Sequence, residues 1–185
     1  MTDSGTTLQL IYEIERNRFG RRRLAESTGR TEMSVRLDLE RLRDEGLIDV
    51  RRTGTKLTAA GRRRFSSLFR NVLDVRTLGV TTLAVDGTCV AAQVRTTGMP
   101  PAWVARDIAV RGGATGLVLL RFLEDRWAFT HDGEPIRDKN PADAAAIDEA
   151  FASPEAGDLL LLSFGPASGS AAGGLWTLLG ETFRP

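Results

Sequence analysis

The stretch LAESTGRTEMSVRLDLERLRDEGLIDVRRTGTKLTAAG, residues 24–61, decides how the first part of the chain folds. Val35, Leu39 and Leu42 stand at i, i+4 and i+7, a spacing that gathers side chains on one face of a helix, and Thr31 is placed to cap it. Ahead of them, Leu24 and Ala25 form the inward side of a short helix expected over residues 21–28, and Gly29 supplies the positive φ that a tight helix–helix turn needs. Gly46 ends the longer helix. Residues 47–52, a turn at Thr53-Gly54-Thr55 and then Lys56-Leu57-Thr58 read as a β-hairpin with basic residues at its tip.

Working outward, Leu8, Ile11, Tyr12 and the aliphatic stem of Glu15 follow helical spacing, which predicts a first helix over about residues 7–17, broken by Gly20. On the other side AAGRRRFSSLFRNVL, residues 59–73, has Phe65, Leu68 and Val72 at helical spacing. It predicts a fourth helix that leaves the hairpin, links to the second half and is placed to pair with a symmetry mate. Three helices followed by a basic hairpin make a helix-turn-helix with a wing.

The quoted stretch resembles winged-helix regulators of the bacterial and archaeal type in its turn, its third helix, the EGLI exit (residues 45–48) and the LT..G after the wing (residues 57–61). The resemblance implies duplex DNA as the partner, with the outward N-terminal part of the third helix in the major groove. Those outward residues are Thr31, Glu32, Ser34, Arg36 and Leu37. Arg36 is the best base reader, because a guanidinium can donate two hydrogen bonds to the O6 and N7 of guanine. Arg21, Arg22, Arg23 and Arg30 are expected near the phosphate backbone, and Arg51, Arg52 and Lys56 set the wing on adjacent phosphates, contacts that position without specifying. Asp38 and Glu40 lie in the same helix, where they can pair with Arg41 and Arg43.

Charge follows the same division. Residues 1–76 carry 17 Lys+Arg against 11 Asp+Glu, a net +6, whereas residues 77–185 carry 8 against 13, a net −5. A polyanion is drawn to the first half and repelled by the second. No apolar run approaches the ~20 residues of a bilayer crossing, and MTDSGTT at the N-terminus lacks the layout of a secretory signal, so the cytoplasm is the expected location. With one cysteine, Cys89, and one histidine, His131, neither a disulfide nor a zinc cluster of the usual spacing is expected.

From Leu78 the pattern turns to alternation. Val80, Thr82 and Ala84 predict one strand, Asp86-Gly87 a turn, and residues 89–95 a returning strand. Pro100-Pro101 open a helix over residues 102–111, stopped by Gly112-Gly113. The apolar run over residues 115–122 predicts a strand covered on both faces, with a hairpin partner at residues 127–130 across a turn at Glu124-Asp125-Arg126. Asn140-Pro141 start another helix, residues 158–164 form a strand closed by Gly165-Pro166, and a last helix is expected over about residues 171–182.

Two places suit a ligand: Arg106 and Asp107 with the GGATG turn that holds Thr115 and Gly116, and a glycine- and serine-rich strand-to-helix turn over residues 165–174, where Ser168 or Ser170 adds a hydroxyl. Neither matches a phosphate-binding loop or a dinucleotide fingerprint. The run WVARDIAVRGGATGLVLLRF and the late SFGPASGSAAGGLWTLL resemble the C-terminal domain of a family of archaeal winged-helix proteins, matching its RD.A...GA.G pattern at Arg106, Asp107, Ala109, Gly113, Ala114 and Gly116. The resemblance implies a regulator and names no effector.

The expectation is therefore an α+β (mixed α/β) protein, with a winged helix-turn-helix DNA-binding domain and linker helix over residues 1–76 and a small α/β layer for effector binding or dimerisation over residues 77–185. It is expected to be a sequence-specific regulator that binds double-stranded DNA as a homodimer, needs no cofactor or metal and answers to an unidentified small molecule if to any. A winged helix that binds protein instead of DNA remains an alternative, and catalysis has no recognisable set of residues: His131 lies in an HDGE turn, and Cys89 has no neighbour in sequence to lower its pKa.

Overall fold

The computed structural model describes residues 5–183, so the reading of MTDS at the N-terminus lies outside the described residues, as does the end of the 77–185 stretch. Three helices come first: α1 (Gly5–Asn17), α2 (Arg21–Thr28) and α3 (Glu32–Asp44). Gly29 closes α2 at φ 66°, and the Thr31 side chain accepts a hydrogen bond from the Ser34 amide at 3.2 Å, as the local signals require. Strands β1 (Ile48–Arg51) and β2 (Gly54–Leu57) pair antiparallel, with Arg51 opposite Gly54, so the tip of the wing is Arg52-Thr53. The predicted turn lay one residue further along the chain.

The single helix expected over residues 59–73 is two short ones, α4 (Ala59–Arg64) and α5 (Ser66–Asn71), broken at Phe65, where φ and ψ are −95° and 17°. Strand β3 (Val72–Leu78) then begins at once. It pairs with β4 (Thr88–Val94) in a register that sets Leu78 against Cys89. The strand predicted from Leu78 through Val80, Thr82 and Ala84 is thus corrected: Leu78 ends β3, and residues 79–84 belong to the irregular connection between β3 and β4. Its strand-like alternation has no partner strand, and what holds it is Asp143.

After β4 come α6 (Ala102–Arg111), β5 (Gly116–Leu123), β6 (Arg126–Phe129), α7 (Ile136–Lys139), α8 (Pro141–Ala150), β7 (Leu159–Gly165) and α9 (Ser168–Thr182). The five strands form one antiparallel sheet in the order β3-β4-β7-β5-β6. Glu124 and Asp125, both at positive φ, make the β5–β6 turn. The central strand is β7, buried along its whole length, and its alternation divides the interior in two. Leu159 and Leu161 join α6 and α9 on one face, whereas Leu160, Leu162 and Phe164 meet Ile136, Ala144, Ile147 and Trp127 on the other. The two-faced burial expected for residues 115–122 belongs to β7 more than to β5, whose outer residues are only partly covered.

The first of these clusters does not stop at the sheet. It continues through Trp176, Leu178 and Leu179 of α9 into Leu8, Ile11 and Tyr12 of α1, and from there into Leu24, Val35, Leu39 and Leu42 of the winged helix. The rings of Tyr12 and Trp176 lie 5.2 Å apart.

Two buried carboxylates hold the second half together. Asp143, 1% exposed at the start of α8, accepts from the amides of Thr81, Thr82 and Leu83 and from both threonine hydroxyls, at 2.7–3.0 Å. Burial pushes its pKa up, but the five donors outweigh burial and leave it below the usual aspartate range. Asp158 likewise accepts from Arg95, Gln93 and the Glu155 amide, which more than offset its burial.

The glycine-rich stretch over residues 165–174 is a turn only as far as Ala167; from Ser168 it is helix. Gly173 and Gly174 serve the approach of α9 to α6. A Cβ on Gly174 would stand 2.4 Å from that of Ala114 and 2.7 Å from the Ala109 carbonyl, and one on Gly112 would stand 2.8 Å from the Gly173 carbonyl. Gly174→Ala is therefore expected to lower stability by about 2 kcal/mol in urea denaturation, although alanine is the better helix former by roughly 0.5–1 kcal/mol. A neutral or stabilising result would mean that the two helices are not held this close.

Candidate nucleic-acid interface

The inward stripe of Val35, Leu39 and Leu42 leaves Glu32, Met33, Arg36 and Leu37 on the open side of α3. Arg36 holds Glu40 at 2.7 Å, one turn along the helix. Leu37 and Met33, exposed by 59% and 61%, lie four residues apart on the same side. An apolar side chain at such a place can meet the methyl group of thymine. Met33 was passed over in the sequence, where its only signal is the i, i+4 relation to Leu37.

Arg21, Arg36, Glu40, Arg43 and Val50 line one cleft of about 210 Å³, which brings α2, α3 and the wing together around a basic rim. The wing is fixed from behind. The Thr55 amide donates to the Phe19 carbonyl at 3.1 Å, and Gly54, at φ 122°, comes so near the connection between α1 and α2 that a Cβ would stand 2.0 Å from the Arg18 carbonyl. No other residue fits that position.

The residues singled out in the sequence fall into distinct groups here. Arg36, Leu37, Glu32 and Thr31 are exposed on or beside α3. Arg21 pairs with Glu32 at 3.4 Å, Arg22 with Glu26 at 3.1 Å, and Arg23 lies over the Phe19 ring at 5.3 Å. Arg51 holds Asp49 at 2.7 Å, while Arg52 and Lys56 make no ion pair among the described residues. Arg30 and Ser34 differ from the rest. Arg30 is largely covered, binds Asp38 at 2.8 Å and donates to the Ser34 hydroxyl, so the pair ties the turn to α3 from the inside. Asp38 also takes Arg41 at 3.3 Å.

The residues proposed for a ligand are not brought to one place. Arg106 lines a cleft of about 330 Å³ between α6 and the β5–β6 hairpin, with Asp107 exposed beside it on α6. Thr115 donates its amide to the Phe164 carbonyl at 2.8 Å, and Gly116 lies under Val85. Ser168 lines a separate cleft of about 110 Å³ with Gln9, Glu13 and Trp176. The Ser170 hydroxyl closes its own turn, donating to the Ala167 carbonyl at 2.7 Å. Cys89 is buried in β4, and burial, aided by Asp143, pushes its thiol up to about 12, which keeps it protonated. Among the described residues no group of three or more His, Cys, Asp or Glu is placed to hold a metal, and no helix is long and apolar enough to cross a membrane.

Residues 6–73 match the family described as the CggR N-terminal DNA binding domain, and the match supports DNA as the partner of this part of the chain. No curated protein matches the sequence. Among solved structures, the hypothetical protein PH0730 from Pyrococcus horikoshii OT3 is similar over 96% of this chain and 91% of its own, with a TM-score of 0.75 and 21% identity. At that identity the likeness is one of fold.

Proposed function

We propose that the protein is a sequence-specific transcriptional regulator that binds double-stranded DNA as a homodimer, reading bases with α3 and gripping phosphates with its wing. The observation that carries this reading is the cleft where Arg21, Arg36 and Arg43 meet the wing, within a stretch similar to a DNA-binding domain. Two copies with their α3 helices about one DNA turn apart would read two half-sites. In this reading residues 1–76 act on DNA and residues 77–185 dimerise, sense a small molecule or both, in the cytoplasm and without a cofactor or catalysis of their own.

The test is selection of genomic fragments by the full chain, followed by affinity for the best fragment and a scrambled one over a salt series. One enriched paired motif is expected, with log affinity falling steeply against log salt. Arg36→Ala should erase about 10–100-fold of preference at one base pair, the equivalent of ~1–3 kcal/mol. Arg51→Ala, Arg52→Ala and Lys56→Ala should weaken all sequences alike and each reduce the salt slope by about one. Equal weak binding to both fragments would overturn the reading. The exposed Met33, Leu37 and Val50 favour a second reading, a winged helix that binds a protein partner; Arg36→Ala would then leave DNA behaviour unchanged.

A further inference from the structure

Among the described residues of the second half, five of the seven arginines and lysines face a carboxylate. Arg95 holds Asp158 and Glu155, Arg111 holds Glu181, Arg126 holds Glu124, Arg137 holds Asp148 and Lys139 holds Glu134. Arg106 and Arg121 have no such partner among the described residues, although this half of the chain carries an excess of acid. Both line the same surface. Arg106 borders the cleft of about 330 Å³, Arg121 borders an adjoining cleft of about 230 Å³, and the two clefts share Ala102, Leu119 and Thr130.

The walls between them are apolar and aromatic. Trp103, 71% exposed, stands on the first turn of α6, and Phe129 faces the same cleft from β6, next to His131. Trp127 and Trp176 are buried, so Trp103 is the one tryptophan presented to solvent. Two unpaired guanidiniums flanking an apolar cleft with an aromatic lip match an anionic group on a flat apolar body: the guanidiniums take the anion in paired hydrogen bonds, and the rings cover the body.

We propose that this double cleft binds a small organic anion with a flat apolar body, its carboxylate, phosphate or similar group held by Arg106 and Arg121 and its body against Trp103 and Phe129. The proposal deepens the regulator reading, on which it rests for calling the ligand an effector; the binding itself stands apart from DNA.

The probe is anilinonaphthalene sulfonate, a flat aromatic anion, titrated into the full chain and compared with neutral phenylnaphthylamine. One site per chain is expected, with Trp103 shielded from iodide quenching as the site fills and the neutral probe bound at least about tenfold more weakly. Arg106→Ala and Arg121→Ala should each weaken the anionic probe about tenfold, with circular dichroism unchanged because both side chains are exposed. Unchanged affinity in the double variant, equal binding of the two probes, or Trp103 left open to iodide would overturn the proposal. So would a dimer that dissociates on Trp103→Ala, since a second copy would then cover the cleft. DNA affinity measured on the same preparations separates the two ideas: loss of all DNA binding with the probe still bound sinks the regulator and leaves the site.

Discussion

Asp143→Asn should cost the protein about 3 kcal/mol or more at neutral pH, although the substitution changes one atom. The carboxylate accepts five hydrogen bonds and is almost wholly buried. One of its oxygens takes the Thr82 amide, the Thr82 hydroxyl and the Leu83 amide. An asparagine can offer only one oxygen, so its NH2 group must face donors, and hydrogen bonds to charged groups are each worth ~1.5–3 kcal/mol. The acid side supplies the control. The folded-state pKa of Asp143 lies below the usual aspartate value, so its contribution is complete above about pH 4, the unfolded value, and is lost as pH falls through the lower folded one. Chemical denaturation of both proteins should therefore show a gap at pH 7 that narrows below about pH 4. A gap that stays constant with pH would mean that the ionised carboxylate is not what holds the connection between β3 and β4.

Trp176→Ala should lower stability by about 3–5 kcal/mol, the usual cost of emptying a buried aromatic site. The particular expectation is where the loss is felt. Trp176 belongs to α9, yet its ring packs tilted against that of Tyr12 in α1, and its backbone lies against Gly5. The division at residue 76 is in our proposal one of function, while the apolar cluster runs across it. DNA binding and the circular dichroism of the whole chain should consequently be lost at the same, lower temperature. If the variant binds DNA unchanged at temperatures where its sheet has melted, the two parts are independent.

The helices that present the candidate interface were legible because their signals are local. A cap at Thr31, a glycine at 29 and the 35-39-42 stripe settle α3 from within a dozen residues, and the stripe settles which residues remain outside. Other parts of the chain were read less well where the partners that decide lie elsewhere. Phe65, Leu68 and Val72 have helical spacing and no glycine or proline divides them, yet Val72 opens a strand because β4 offers it a ladder. Residues 80–84 alternate like a strand, yet Thr81, Thr82 and Leu83 are claimed instead by Asp143, about sixty residues away. Gly173 and Gly174 have the composition of a turn but lie in a helix, where the end of α6 and Ala114 leave no room for a side chain. Arg30 and Ser34 are partly covered for a similar reason: Asp38, midway along α3, holds the Arg30 guanidinium against the helix, where it also meets Ser34.

The contact of α1 with α9 also bears on the order of events during synthesis. Leu8 lies against Gly180, 172 residues further along, so α1 finds this neighbour only once α9 has been made. Closing so long a loop before the contact repays it slows folding, and until then Leu8, Ile11 and Tyr12 are apolar surface in need of cover. A growing chain halted before α9 leaves the ribosome would carry the whole recognition surface on an unsupported first helix. Fragments of that kind should be prey for chaperones and proteases, which in our proposal leaves the DNA to chains that have been read through α9.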